Sequence, residues 1–116
     1  MDRNEQDQPP RNNRRYPRYE LDTELIAAML GTKHRELRGR SLNINEGGIA
    51  GVFAKQMDVG IPVTLQFFLP VVASPVRVQG VVRNRTSYRY GFEFVDLTPE
   101  QRETISRTCR TLGLLQ

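Results

Sequence analysis

The sequence predicts an all-β fold: a six-stranded antiparallel β-barrel with a C-terminal α-helix and a flexible N-terminal arm. Three observations predict it. Between residues 21 and 94, six short runs alternate apolar and polar residues, and turn residues bound each run. After Thr98 the apolar spacing changes from that of a strand to that of a helix. Before residue 14 there is no apolar period at all. Turn-length connections suit antiparallel pairing, because parallel strands need a crossover of a dozen residues or more.

Residues 1–13 are polar and include Pro9-Pro10, so a flexible tail is expected. Residues 14–116 then form one domain, with an arginine arm over 14–19, a barrel over 20–96 and a helix over 98–113. Pro17 keeps the arm out of a helix and pushes Tyr16 toward extended backbone. The first strand is expected over 21–30, where Asp22 and Glu24 alternate with Leu21, Thr23 and Leu25. Gly31 to His34 form the turn, and a returning strand spans 35–44 with Arg38 and Arg40 on one face.

Glu46-Gly47-Gly48 reads as a turn whose glycines supply positive φ. A strand resumes over 49–54, and Met57-Asp58-Val59-Gly60 make the next turn. Over 61–69, Val63, Leu65, Phe67 and Leu69 share one face until Pro70 ends the run. Val76, Val78, Gly80 and Val82 line the following strand, with Arg77, Gln79 and Arg83 opposite. Residues 84–87 turn the chain, and Tyr88, Tyr90, Phe92 and Phe94 stack on one face of the last strand. The helix announces itself three ways: Thr98 as cap, Pro99 at the first position and Gln101 closing the box. Ile105, Cys109 and Leu112 share its apolar face, Gly113 reads as its stop, and Arg102, Arg107 and Arg110 as its solvated side.

With 116 residues, 38% of them hydrophobic and 26% charged, the chain suits a single modest core. No run is long and apolar enough to predict a membrane span, and the N-terminus lacks the apolar stretch of a signal peptide. A single cysteine, Cys109, allows no internal disulfide, which points to the cytoplasm. The sequence offers no catalytic set, so no enzyme is expected. His34 is the only histidine and lies in a polar turn, Cys109 lies on an apolar helix face, and no phosphate-loop fingerprint is present. No cofactor is implied.

The net charge is +4, and of 17 basic residues only Lys33 and Lys55 are lysine. Arginine binds phosphate through a planar fork, stacks on bases and matches the O6/N7 edge of guanine. Its dominance points to an anionic or nucleotide partner. Two stretches concentrate that chemistry. Asn13-Arg14-Arg15-Tyr16-Pro17-Arg18 is a cationic arm without an acid. Asn43-Ile44-Asn45-Glu46-Gly47-Gly48 places amides and bare backbone at a turn between strands.

Together these stretches resemble the PilZ domain family. Arg14-Arg15-Tyr16-Pro17-Arg18 resembles that family's RxxxR motif. Asn43, Asn45 and Gly48 fall at the positions of its (D/N)xSxxG motif, with asparagine in place of serine at 45. The likeness runs from about Asn13 to the helix after Thr98 and includes the Tyr-Gly-Phe-Glu-Phe-Val-Asp-Leu end of the last strand. It implies a bacterial receptor for cyclic di-GMP. In that likeness Arg14 and Arg18 clamp phosphates and guanine edges, with Arg15 and Asn13 contributing from the arm. Asn43, Asn45 and Gly48 hold the other guanine face. From its place near a strand end, off the valine face, Arg83 reads as a further contact.

The receptor would signal by ordering the arm and meeting a downstream protein partner. Two other readings stand beside it. One is a PilZ adaptor that has lost the nucleotide, which Asn45 favours and the two arginines oppose. The other is a basic barrel for single-stranded nucleic acid, which needs exposed aromatics. The aromatics of the last strand lie on a face expected to be buried, so a nucleic-acid partner is disfavoured.

Overall fold

The computed structural model describes residues 16–29, 35–70 and 72–116. The expected tail, Arg14 and Arg15 of the arginine arm and the 31–34 turn lie outside the described residues. The strands are β1 (Tyr19–Glu20), β2 (Glu24–Met29), β3 (Arg35–Asn45), β4 (Gly48–Phe53), β5 (Pro62–Phe67), β6 (Val76–Thr86) and β7 (Arg89–Val95). Helix α1 (Pro99–Leu115) follows. Strand order is β3-β2-β5-β6-β7-β4, and β4 pairs back onto β3, so six antiparallel strands close into a barrel. Closure removes the sheet edges that would otherwise recruit another chain. The extra strand β1 lies along β3 outside the ring.

Alternation does what the sequence reading expects of it. Val63, Leu65 and Phe67 of β5 point inward, as do Val76, Val78 and Val82 of β6 and Tyr90, Phe92 and Phe94 of β7. The aromatic rings meet inside: Phe53 lies edge-on to Tyr90 and Phe92, with centroids 5.8 and 5.7 Å apart, and Phe67 stacks on Phe94 at 6.1 Å. Such pairs add about 0.5–1.5 kcal/mol to the burial of the rings. The buried Tyr90 hydroxyl accepts from Met57 N at 3.1 Å, so its polar end is satisfied. Helix α1 starts as its residues demand. Thr98 accepts from Gln101 N, Gln101 accepts from Thr98 N, and Pro99 follows the cap.

Five details depart from the sequence reading. The expected first strand over 21–30 begins only at Glu24, and a separate strand β1 forms ahead of it at Tyr19–Glu20, because Ser41 turns its hydroxyl into the ladder between them. Ser41 Oγ accepts from Thr23 N at 3.0 Å and donates to Leu21 O, beside a register shift between Ser41 and Asn43. Strand β6 continues through the expected 84–87 turn to Thr86, with a bulge at Arg83 between the Val82–Phe92 and Asn84–Gly91 pairs. The actual hairpin loop is Ser87-Tyr88, with Ser87 at φ 58°. Tyr88 therefore leaves the aromatic stack and stands 64% exposed.

The glycines at 47 and 48 do not supply positive φ; Gly60, at φ +97°, is the only described glycine that does. A side chain at 48 would instead lie 2.2 Å from the carbonyl oxygen of Phe92. Gly48 is there so that β7 can approach β4. Finally, Gly113 does not stop α1, which runs on to Leu115; its bare backbone makes room for the Tyr19 ring, 3.2 Å from where a Cβ would stand.

Candidate functional site

A cleft of about 540 Å³ opens on the outer face of the wall made by β3, β4 and β7. Residues facing out of this wall fall in rows across the strands. One row reads Asn45, Gly48, Glu93, Val81; the next reads Asn43, Ala50, Gly91, Asn84. The middle of the second row holds only Ala50 and Gly91, half-buried and without long side chains, whereas Gly48 in the first row is itself buried against the Phe92 carbonyl. At Gly91 the Asn84 amide has folded over the bare backbone, 2.6 Å from where a Cβ would lie.

The arm reaches this wall through β1. Tyr19 pairs with Ile44 and Glu20 with Asn43, so the antiparallel residues before Tyr19 run toward Asn45 and the β3–β4 turn. Arg18 lines the cleft there, and the Tyr16 ring lies over Gly47. The other edge of β1 is closed by the C-terminal residue. Gln116 Nε2 donates to Glu20 O and its Oε1 accepts from Glu20 N, both at 2.8 Å, so one amide reproduces a β-bridge.

Five of the sequence-predicted site residues thus line one cleft: Arg18, Asn43, Asn45, Gly48 and Arg83. Asn13, Arg14 and Arg15 lie outside the described residues. Asn45 has a local task as well, because its Oδ1 accepts from Gly47 N at 2.6 Å and closes the turn. Arg83 stands on the β6 bulge and forms an ion pair with Glu93 across the strands, so its charge is already opposed. The sequence reading missed Tyr16, Glu93 and Arg89 on the cleft, and took Arg102 for solvated helix surface only. Glu93 carried a signal, since it alternates outward between Phe92 and Phe94; that it faces Gly48 follows only from the register.

Arg18, Arg83, Arg89 and Arg102 stand on the cleft against Glu46, Glu93 and Asp96. The wall can offer cations to phosphate at some points and acceptors to a base at others. Cys109 plays no part in it. Burial, followed by the nearby charge of Glu46, pushes its thiol up to about 11, which suits a core residue and not a nucleophile.

No curated protein sequence matches the chain. Solved structures do. The fold is similar to the PilZ domain with c-di-GMP of YcgR from Escherichia coli, at TM-score 0.69 and 12% identity over 90% of this chain and 94% of that one. It is also similar to the inhibitor of motility MotI/DgrA of Bacillus subtilis, at TM-score 0.73 and 22% identity over 93% of this chain and 57% of that one. The PilZ domain of CeSA from a cellulose synthesizing bacterium matches at TM-score 0.65 and 16% identity, over 86% and 99% of the two chains. This chain therefore spans the isolated domains almost fully and little more than half of MotI/DgrA. A sequence model of the PilZ domain matches residues 12–110. With that match across the arm, the barrel and most of the helix, the chain belongs to the PilZ domain family, whose fold is that of cyclic di-GMP receptors.

Proposed function

We propose that this protein is a cytoplasmic bacterial receptor for cyclic di-GMP, without enzymatic activity, that signals by folding its arginine arm onto the barrel. The observation that carries the reading is the β1–β3 pairing, which lays Arg18 beside the amides of Asn43 and Asn45. In this reading Arg14 and Arg18 clamp phosphates and guanine O6/N7 edges. Arg15 and Asn13 add contacts from the arm. Asn43 and Asn45 offer amides from the wall, Gly48 lets a base lie against backbone, and Arg83 stands at the far rim. The arm and the bound nucleotide together present a new surface to a downstream protein. The c-di-GMP named with the YcgR domain supports the ligand by family likeness.

Calorimetric titration tests it, with cyclic di-GMP, GTP and a short single-stranded DNA against the protein and its Arg14→Ala and Arg18→Ala variants. Saturable binding of cyclic di-GMP alone, at least a hundredfold weaker in either variant, is the expected result. Absence of binding to cyclic di-GMP overturns the reading. One observation favours the adaptor reading instead: Asn45, at the family's serine position, spends its oxygen on the turn. Under that reading the protein binds a partner with no nucleotide present. Binding to DNA with a steep fall in salt would mark the nucleic-acid reading, which the buried positions of Tyr90, Phe92 and Phe94 oppose.

A further inference from the structure

We infer that Glu93 is the residue through which the cleft selects guanine, its carboxylate accepting the N1–H and N2–H₂ donors of the base. The inference rests on the cyclic di-GMP reading above and assigns one residue within it. Asn45, Gly48 and Glu93 are successive members of one outward row, since Asn45 pairs with Gly48 and Gly48 with Glu93. Two strand spacings separate the outer members, about 10 Å between backbones. Gly48 puts no side chain in the gap. The row sets an amide at one end and a carboxylate at the other.

The two walls differ in what they can offer. Asn45 Oδ1 already accepts from Gly47 N. Asn43 has a single oxygen, and its NH₂ would oppose a donor edge. Glu93 is acceptor-only and has two oxygens. Its side chain is 49% exposed, and Arg83 Nε donates to Oε1 from the bulge. The bulge thus holds the carboxylate in place over the cleft while lone pairs remain for a ligand. Charge sorts the ligand in the same sense. Arg83 balances the charge of Glu93, so a phosphate gains nothing there and is drawn to the Arg18 end, which leaves Glu93 to a base. Guanine presents two adjacent donors on its Watson–Crick edge, which match one carboxylate. Hypoxanthine lacks the amino donor, and adenine places an acceptor there.

The experiment is calorimetric titration of the wild-type protein, Glu93→Gln and Arg18→Ala with cyclic di-GMP, cyclic di-IMP and cyclic di-AMP. Hydrogen bonds to a charged group lead to an expected weakening of cyclic di-GMP by about ten- to hundredfold in Glu93→Gln. The wild-type preference for cyclic di-GMP over cyclic di-IMP collapses toward unity in that variant. Arg18→Ala weakens both dinucleotides alike and keeps the preference. An unchanged melting temperature for Glu93→Gln shows that the loss is not one of folding. If Glu93→Gln keeps wild-type affinity and preference while Arg18→Ala loses affinity, the role of Glu93 is overturned and the receptor reading stands. If the wild-type protein binds none of the three, the receptor reading fails and the role of Glu93 with it.

Discussion

The outer face of the β5–β6 wall and that of the β4–β7 wall are built on the same alternation but present different surfaces. On β5–β6 the outward residues reach across to one another. Arg77 donates to Gln66 at 2.8 Å, and Thr64 donates to Gln79 at 3.4 Å. On β4–β7 the corresponding places hold Gly48, Ala50 and Gly91, and the cleft opens there. The inward faces of both walls are equally closed by valine, leucine and aromatic residues. Alternation therefore makes the barrel, and small residues on its outer side leave room for the cleft. A side chain at any of the three small positions acts on the cleft without touching the core, unless it meets backbone, as at 48.

The comparison breaks first on the inner side. Phe53→Ala removes the ring that meets both Tyr90 and Phe92 and is expected to cost about 3–5 kcal/mol in a urea melt. A loss below about 1 kcal/mol would mean that the aromatic cluster is not what holds β4 and β7 together on the inside. On the cleft wall, Gly48→Ala is expected to cost about 1–3 kcal/mol, because the neighbour to be displaced is the Phe92 carbonyl. Gly47→Ala meets only the Tyr16 ring and Asn45 Oδ1 at 3.4 Å and is expected to be close to neutral. Equal costs at 47 and 48 would return the glycines to a turn requirement.

A third test uses pH and the apolar face of α1, whose Ile105, Cys109 and Leu112 join the core. The Cys109 thiol is raised from 9.0 to about 11 by burial and by the charge of Glu46. The unfolded chain therefore releases this proton at lower pH than the folded one. Stability present below pH 9 declines between about pH 9 and 11. Thermal melts should show that decline reduced in Cys109→Ala relative to wild type; parallel curves would place the thiol in water. A comparably small effect belongs to the filled wall. Gln66→Ala removes an exposed cross-strand bond to Arg77 and is expected to change stability by less than about 0.5 kcal/mol. A larger loss would show that the outer pairs of β5–β6 carry strand register and not only surface.

The Arg83–Glu93 pair shows how far the residues alone could be read. Both are outward by alternation, and both were visible as such: Arg83 opposite the valines, Glu93 between two phenylalanines. Their meeting depends on a bulge that inserts one residue into β6, and no turn or proline in the sequence marks it. Ser41 hid in the same way. A hydroxyl that replaces ladder bonds looks, in sequence, like any polar residue in a strand, so the residues alone start the first strand at Leu21 and give no sign of β1.

What the sequence by itself determined was whatever depends on near neighbours along the chain. Alternation selected the inward faces, Thr98, Pro99 and Gln101 started the helix, and the spacing of Ile105, Cys109 and Leu112 chose its buried side. The two motif stretches, and the family they mark, were also legible there. Tertiary structure decided the rest. It was β7 approaching β4 that required glycine at 48, and the Tyr19 ring that required space at 113. Pairing of β1 with β3 brought Arg18 beside Asn43 and Asn45, and the Gln116 amide closed the far edge of β1. Each of these joins residues 25 or more apart in the chain. Their relative position is set by strand register and closure, and register is a property of pairs of strands that neither strand carries alone.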